Sequence, residues 1–409
     1  MTMHPVTARG FRDVLPAEAA ERETVERRIS GVFSAWGYGL VETPVVETVS
    51  AIEAAAGPLS GTVFRLFDLD GTLLALRPDM TVPIARLTAS RLGGDPGPHR
   101  FRYAAEAFRE HESLRGQSRQ FTQVGVELLG VGGAAADAEV VSVLVEALEA
   151  SGVPEFTVAI GTVAVLHAIV EAAGAAPEWG DAVLTAAHDR NLVGLDRLAR
   201  EVGSERVATA LSAVPRIRGG AEAITACREA TAGLGCEGVL DDLAETYRLL
   251  EAAGVAESVI VDFSVMRSFD YYTGLVLEAY APGVGLPIGG GGRYDGVLAA
   301  YGAPMPAAGF ALGLERVMIA IVEQGATVEV AGLDVLVGGD PAAALVLARE
   351  LRAQGLRVAL SARLGEELAE EAVRLGATEW REATALGAVT GSASPSAEPG
   401  AAAEGGERA

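Results

Sequence analysis

Residues 108–130 read FREHESLRGQSRQFTQVGVELLG, a charged loop with a glycine that is followed by an alternating apolar segment. Apolar and polar residues alternate over 101–109 and 119–130, which predicts two strands joined by a Gly-bearing loop. Arg109, Arg115 and Arg119 surround that loop, an arrangement suited to nucleotide phosphates. Glu112 lies among them with His111 beside it, and a carboxylate would repel a phosphate. The loop therefore has the form of a nucleotide-binding hairpin with an unsuitable charge at its centre.

The residues before this hairpin predict further elements. Apolar residues recur every three or four positions over 16–36, which predicts a helix. The next residues, 37–47, read as one strand that carries Pro44, and a proline restricts a strand to a sheet edge or an interface. Residues 62–77 alternate around Asp70-Gly71, which predicts a β-hairpin.

Composition and periodicity divide the chain into segments. We predict a core over 1–160, a helical insertion over 161–257, the core again over 258–326 and a small α/β unit over 333–385. The α/β unit reads as two strand–helix repeats that lack further strands at their end. The small, polar residues of 390–409 predict a disordered tail. The predicted class is α+β.

Composition excludes several classes of protein. The chain has 409 residues and a formal charge of −23, with no lysine among its 32 cations, which argues against a nucleic-acid partner. We see no apolar run long enough for a membrane span and no secretion signal, so a cytoplasmic location is predicted. Cys227 and Cys236 make neither a disulfide framework nor a zinc site, and no metal or cofactor is predicted.

The order of motifs resembles the class II aminoacyl-tRNA synthetases, specifically the histidyl-tRNA synthetases, over residue 10 to about residue 325. The matching pieces are GFRDVLP (10–16), GYGLVETPVVE (37–47), LRPDMT (76–81), the 108–130 stretch, MRSFDYYTG (266–274), GGGGRYDG (289–296) and GFALGLERV (309–317). The resemblance implies an antiparallel sheet flanked by helices. It also implies a homodimer formed through the first helix and strand, near 17–46.

The same resemblance implies a pocket for histidine. In that family acids and a glutamine bind the ammonium, an arginine binds the carboxylate, and a glutamate and a tyrosine bond the imidazole. The corresponding residues are Asp79, Thr81, Arg109, Gln123, Glu127, Arg267, Tyr271 and Tyr272.

Purely structural interpretations of these residues are open as well. Asp79 and Thr81 can cap a helix that begins at Thr81. Arg109 and Glu127 can form a cross-strand pair. The glycines 289–292 can serve close strand packing instead of ligand approach.

The ATP side of the family's site is altered. His111 replaces a glutamate, Glu112 replaces an arginine and Gln117 replaces a further loop arginine. Losing two or three charge-assisted hydrogen bonds costs about 3–9 kcal/mol, so we predict that ATP activation is lost and that the chain has no catalytic residues. The segment 333–390, where the family has its anticodon-binding domain, carries nine acids and six arginines, a net charge of −3.

A synthetase-like core with these changes resembles a paralogous family, the regulatory subunits of ATP phosphoribosyltransferase. That resemblance implies a non-catalytic chain that activates a short catalytic subunit and makes it sensitive to free histidine. A divergent histidyl-tRNA synthetase is the alternative, and another enzyme derived from class II synthetases is a third.

Overall fold

The computed structural model describes residues 7–57, 63–110, 118–265, 272–384 and 387–392. The chain forms two compact units, Met1–Val328 and Glu329–Ala409. Three 3-10 turns lie in the first unit, at Val214–Arg216, Ala256–Ser258 and Ala299–Tyr301. The other elements of the first unit are α1 (Pro16–Ala35), β1 (Gly39–Leu40), β2 (Val46–Thr48), α2 (Val49–Ala56), β3 (Arg65–Phe67), β4 (Leu73–Leu76), α3 (Thr81–Leu92), β5 (His99–Phe108), β6 (Gln120–Leu129), α4 (Ala134–Ser151), β7 (Thr157–Thr162), α5 (Val163–Ala173), α6 (Pro177–His188), α7 (Leu192–Glu201), α8 (Glu205–Ala213), β8 (Arg218–Gly219), α9 (Ala221–Ala230), α10 (Glu237–Ala253), β9 (Val259–Asp262), β10 (Leu275–Tyr280), β11 (Gly289–Arg293), β12 (Ala307–Gly313) and α11 (Leu314–Glu323).

A nine-stranded sheet forms the centre of the first unit, in the order β1-β5-β6-β12-β11-β10-β7-β9-β8. Within the run β5-β6-β12-β11-β10-β7, every adjacent pair of strands is antiparallel. At the two ends of this run, β1 pairs with β5 in parallel and β9 pairs with β7 in parallel. The strand pair predicted from the 108–130 stretch is confirmed, because β5 and β6 pair from His99↔Leu129 to Phe108↔Gln120. The predicted α+β class with an antiparallel sheet flanked by helices is confirmed too.

Helix α1 follows the predicted periodicity. Pro16 occupies its first position, where the missing N–H costs nothing. Val25, Ile29 and Phe33 recur on one face, are completely buried and pack in the main hydrophobic core. The helix ends where Gly37 adopts a left-handed conformation with φ +80°. The apolar spacing therefore fixes both the helix and the face that it buries.

The prediction of one strand over 37–47 is wrong. Gly39–Leu40 pairs with β5 in the large sheet, whereas Val46–Thr48 pairs with β4 in a separate sheet of order β2-β4-β3. Pro44 lies between the two strands and has no N–H to donate, so the chain leaves one sheet there and enters the other. The hairpin around Asp70-Gly71 is confirmed, since Phe67 pairs with Leu73. Asp70 Oδ1 accepts a hydrogen bond from Thr72 N (2.8 Å).

The residues from 163 to 253 are mainly helical, from α5 to α10. They belong to the first compact unit, and Ile169, Leu211 and Leu250 share one hydrophobic core with Val158 and Ile160 of β7. That 161–257 is an inserted domain, with the 1–160 and 258–326 segments as its flanks, stays a prediction.

The second unit contains β13 (Val335–Gly339), α12 (Pro341–Ala353), β14 (Val358–Leu360), α13 (Gly365–Arg374), β15 (Glu379–Thr384) and β16 (Gly387–Ser392). Its sheet has the order β14-β13-β15-β16. The two predicted strand–helix repeats are present, but the expectation that no strands follow them is wrong. Residues 390–392 are strand as well, not the start of a disordered tail, because β16 pairs with β15 up to Glu379↔Ser392. Gly391 permits this pairing, since a Cβ there would lie 2.4 Å from the Trp380 ring.

Three further predictions concern membrane helices, metal sites and the two cysteines. Within the described residues, no helix is both long enough and apolar enough to cross a bilayer. The same part of the chain contains no group of three side chains that could hold a metal ion. Cys227 and Cys236 are free, buried thiols.

Candidate functional site

A cavity of about 1000 Å³ lies in the first unit, at the upper end of the size range for small-molecule sites. Five residues of the predicted histidine pocket line it: Asp79, Thr81, Arg109, Gln123 and Tyr272. The loop before α3, the first residue of α3, the residue after β5, strand β6 and the residues before β10 supply these side chains. The tertiary fold thus brings residues almost two hundred positions apart to one cavity.

Arg77 fixes the loop that carries Asp79. Its buried guanidinium donates from Nε to the Glu106 carbonyl (2.7 Å) and from Nη1 to the Thr43 carbonyl (2.8 Å). Its backbone carbonyl accepts from Phe108 N (3.0 Å). A buried cation that replaces its hydration shell with backbone carbonyls holds them rigidly. The 76–81 loop is therefore tied to β5 and to the residues before β2.

Asp79 is 4% exposed at the start of α3. Its Oδ1 accepts a hydrogen bond from Val82 N (3.1 Å), and the helix begins at Thr81, so the capping interpretation is correct in part. Burial raises the pKa of Asp79, while the charge of Arg109 and the N–H groups of Val82 and Thr81 oppose that rise. The residue caps the helix and also presents a carboxyl group to the cavity.

Glu127 lies behind the cavity wall and is 1% exposed. Its Oε1 accepts hydrogen bonds from Thr81 Oγ1 (2.9 Å) and from the Tyr103 hydroxyl (3.2 Å), and its Oε2 accepts from the Tyr294 hydroxyl. Burial raises the pKa of Glu127 to about 8, although the hydroxyls of Tyr294, Thr81 and Tyr103 act in the opposite direction. Thr81 links this buried carboxyl group to the cavity, because it lines the cavity and donates to Glu127.

The proposed cross-strand pair of Arg109 and Glu127 is wrong. The residue opposite Glu127 on β5 is Phe101, eight positions before Arg109. Arg109 instead donates from Nε to the Pro78 carbonyl (2.9 Å), and its guanidinium lies 5.3 Å from the centre of the Phe121 ring.

Gln123 completes this side of the cavity. Its Oε1 accepts a hydrogen bond from Met80 N (3.0 Å). Gln123 of β6 and Arg109 therefore both bind the backbone of the 76–81 loop. Both polar side chains are positioned before any ligand arrives.

Glycines around Tyr272 serve close packing, as the structural interpretation predicted. A Cβ on Gly292 would lie 2.8 Å from the Tyr272 ring, and one on Gly291 would lie 2.0 Å from the Gly309 carbonyl oxygen. Gly289 and Gly291 line the cavity as well, so packing and ligand approach are compatible here. The remaining predicted positions lie outside the described residues: Arg267 and Tyr271 of the histidine pocket, and His111, Glu112 and Gln117 of the ATP loop.

Two site residues were missed by the sequence reasoning, Tyr103 and Tyr294. Tyr294 lines the cavity and belongs to the GGGGRYDG motif, so a signal for it was present in the sequence. Tyr103 carries no such signal, because alternation on β5 predicts only that its ring is buried. Both hydroxyls bond Glu127, which no pattern along the chain could reveal.

The wider part of the cavity combines ion pairs with an apolar wall. Arg22 pairs with Glu315 (2.7 Å), and Arg316 donates to the Pro287 carbonyl (2.7 Å). Arg119, a candidate for phosphate binding from the sequence, does not line the cavity; it pairs with Glu110 and lies 4.3 Å from the centre of the Phe64 ring. The apolar wall is formed by Val284, Leu286, Met318, Ile319 and Val322. The arrangement suits a small zwitterion at the polar end, with space beyond it.

Comparisons with known proteins show which family this chain resembles over most of its length. The family model for histidyl-tRNA synthetase matches residues 10–317. An "ATP phosphoribosyltransferase regulatory subunit" of Moorella thermoacetica is 40% identical over 379 residues, which is 91% of this chain and 96% of the relative. A protein of the same name from Symbiobacterium thermophilum is 42% identical over 369 residues, 88% of this chain and 92% of the relative.

Two solved structures superpose on this chain over most of its length. A Bacillus halodurans "ATP phosphoribosyltransferase regulatory subunit/histidyl-tRNA synthetase" superposes with a TM-score of 0.80 at 30% identity, covering 91% of this chain and 96% of that one. A histidyl-tRNA synthetase from Nostoc superposes with a TM-score of 0.79 at 20% identity, covering 93% and 91% of the two chains, a likeness of fold alone.

Proposed function

Because this chain belongs to the histidyl-tRNA synthetase family and, within it, to the ATP phosphoribosyltransferase regulatory subunits, we propose that it activates a short catalytic ATP phosphoribosyltransferase and makes that enzyme sensitive to histidine. A regulatory role in histidine biosynthesis follows from the family. The observation that carries the proposal is the 40% identity to a regulatory subunit over 96% of that relative's length. Activation and feedback inhibition are the parts that require experiment.

The proposed effector site is the polar end of the large cavity. Asp79 and Gln123 supply oxygens for an ammonium group. The loop that carries Asp79 is fixed by Arg77 and Arg109, and Gln123 lies on β6. Arg267, which the family resemblance assigns to the carboxylate, completes the proposal. A site that meets every polar group of its ligand discriminates strongly against ligands that leave one of those groups unpaired.

The chain is proposed to lack synthetase activity. Arg119, one of the three arginines retained near the 108–130 hairpin and α11, is engaged with Glu110 and with aromatic rings. The replacements at His111, Glu112 and Gln117 are the main argument, and they come from the sequence. RNA is not part of the proposal, because residues 333–390 carry nine acids against six arginines.

A homodimer is proposed through the segment 17–46. Leu40 is 57% exposed, Val45 41% and Val46 37%, and Phe67 of β3, in the same small sheet as Val46, is 75% exposed. Large exposed apolar side chains concentrated in one segment are typical of a surface that another chain covers.

Copurification with the catalytic subunit tests the function. The complex should show phosphoribosyltransferase activity that the catalytic subunit lacks alone, and free histidine should inhibit it. If the catalytic subunit is equally active and equally inhibited by itself, the regulatory proposal is wrong.

The variant Arg267→Ala tests the effector site. It should weaken histidine inhibition by about 2–4 kcal/mol, the scale of breaking a hydrogen-bonded charge pair. It should also remove the preference for histidine over histidinol, which lacks the carboxylate. Arg197→Ala, which removes an exposed arginine of α7, serves as the matched control. Unchanged inhibition in Arg267→Ala would place the effector at another site, and the regulatory function itself would stand.

A further inference from the structure

A second cavity, of about 360 Å³, lies in the first unit and shares no lining residue with the large one. It is enclosed by the start of α5, the end of α6, the start of α7 and the end of β9. Its volume falls within the range of small-molecule sites. None of the residues predicted from the sequence as binding residues lines it.

The interior of this second cavity is apolar. Val165 is 1% exposed, Leu166 5%, Leu195 0%, Val214 3% and Phe263 7%, and all five line it. A polar ligand group that entered this part would lose its hydration without finding a partner, which costs at least about 1–3 kcal/mol. The interior therefore accepts a hydrocarbon group.

The mouth of the second cavity carries charges. Arg190 donates to Glu278 (2.7 Å) and to the Tyr280 hydroxyl (2.8 Å), and Arg216 pairs with Asp196 (2.7 Å), so both guanidinium groups already have carboxylate partners.

Arg218 differs from these two arginines. It lines the cavity, and within the described residues no hydrogen bond or ion pair engages its side chain. A cation at the edge of an apolar cavity attracts an anionic ligand group.

Asp262 is the direct cross-strand neighbour of Arg218 in the β8–β9 pair. It lines the same cavity, and its Oδ1 accepts a hydrogen bond from Ser264 N (2.8 Å). Cross-strand neighbours have Cβ atoms about 4.5–5.5 Å apart. No ion pair joins Arg218 and Asp262 in the structure. The mouth therefore carries a guanidinium group and a carboxylate on neighbouring strands that are not paired with each other.

We propose that this second cavity binds a small α-amino acid with an apolar side chain. The carboxylate meets Arg218, the ammonium group meets Asp262, and the side chain lies against Leu166 and Phe263. Each charged group of the ligand then has one partner, and each partner is at the edge of the apolar interior. An apolar side chain suits this interior better than an imidazole, because the five buried side chains that form it offer no hydrogen-bond partner.

Calorimetry with the full-length protein tests this proposal, with L-phenylalanine as the probe. Phenethylamine, which lacks the carboxylate, and 3-phenylpropionate, which lacks the ammonium, should each bind about tenfold or more weakly, the scale of one charge-assisted hydrogen bond.

Variants assign the effect to the second cavity. Arg218→Ala should abolish the preference for phenylalanine over phenethylamine. Asp262→Asn, which keeps the oxygen that Ser264 N contacts, should abolish the preference over 3-phenylpropionate. Arg248→Ala removes an arginine that is 60% exposed on α10 and should change neither preference.

Two results would overturn the proposal. One is the absence of heat from phenylalanine at millimolar concentration in wild-type protein. The other is phenylalanine binding that is unaffected by both Arg218→Ala and Asp262→Asn, which would move the amino acid to the large cavity. Each variant should unfold at the same temperature as the wild-type protein. A lost preference then reflects a change in the cavity and not a loss of the fold.

Discussion

Replacing Glu127 by glutamine should change how the stability of the protein depends on pH. Glu127 is 1% exposed, and burial raises its pKa from an ordinary 4.5 to about 8. A carboxyl group whose pKa is higher in the folded state binds its proton more tightly there. Its contribution to stability is therefore fully present below pH 4.5, falls as pH rises and is gone above about pH 8.

The magnitude follows from the size of that rise. Each pKa unit is worth about 1.4 kcal/mol, so the wild type should lose about 4 kcal/mol from this group between pH 5 and pH 9. A glutamine cannot titrate and has nearly the shape of the protonated glutamate. At pH 5 its amide should cost about 1 kcal/mol, because its NH₂ faces the Tyr294 hydroxyl that now donates to Oε2. At pH 9 Glu127→Gln should be more stable than wild type by about 3 kcal/mol.

Urea unfolding at several pH values between 5 and 9 measures this difference. Glu139→Gln is the matched control. Partial burial alone would raise the pKa of Glu139, but hydrogen bonds from Arg100 and Tyr38 lower it instead. Its contribution is present above its unfolded pKa and lost only in acid, so Glu139→Gln should lower stability by the same amount throughout pH 6–9. If the wild-type and Glu127→Gln curves run parallel from pH 5 to 9, Glu127 is ionised at neutral pH and the reasoning fails.

Three further outcomes are expected. Gly309→Ala should destabilise the protein by about 1–3 kcal/mol, because its Cβ would lie 1.9 Å from Glu127 Oε2 and 2.4 Å from a backbone carbonyl oxygen; Gly238→Ala, at an open position in α10, should not lower the urea midpoint. Light scattering at micromolar concentration should report a dimer, and Leu40→Asp should shift it toward monomer; a wild-type monomer would contradict the proposed interface. Purified protein should show no histidine-dependent pyrophosphate exchange, and turnover of about 1 per second or more would instead support a synthetase.

Local patterns along the chain specify the helices and strands and their order. The spacing of Val25, Ile29 and Phe33 fixed the buried face of α1, and alternation fixed the β5–β6 hairpin, because both periods follow directly from backbone geometry. The seven motifs in order determined the family and the α+β class. Five of the eight predicted pocket residues line one cavity, and Glu127 lies directly behind its wall. Their binding of histidine stays a prediction.

Where local signals were weak, the sequence reasoning failed. The strand expected over 37–47 is divided between two sheets, because Pro44 cannot donate to either one. Composition predicts a disordered tail from residue 390 on, yet residues 390–392 pair with β15, where a glycine at 391 leaves room for Trp380. Small, polar residues disfavour a core, but they do not prevent a strand from pairing with an edge that is already formed.

Which distant side chains contact one another depends on the folded arrangement of the elements. Strand register placed Phe101, not Arg109, opposite Glu127. The approach of β11 to β12 at Gly309 brought Tyr294 to the same carboxyl group, although 167 positions separate Tyr294 from Glu127. Arg218 and Asp262 became neighbours only when β8 paired with β9. Periodicity specifies the face of an element, whereas register and the packing of distant elements specify the partner, and these depend on the whole fold.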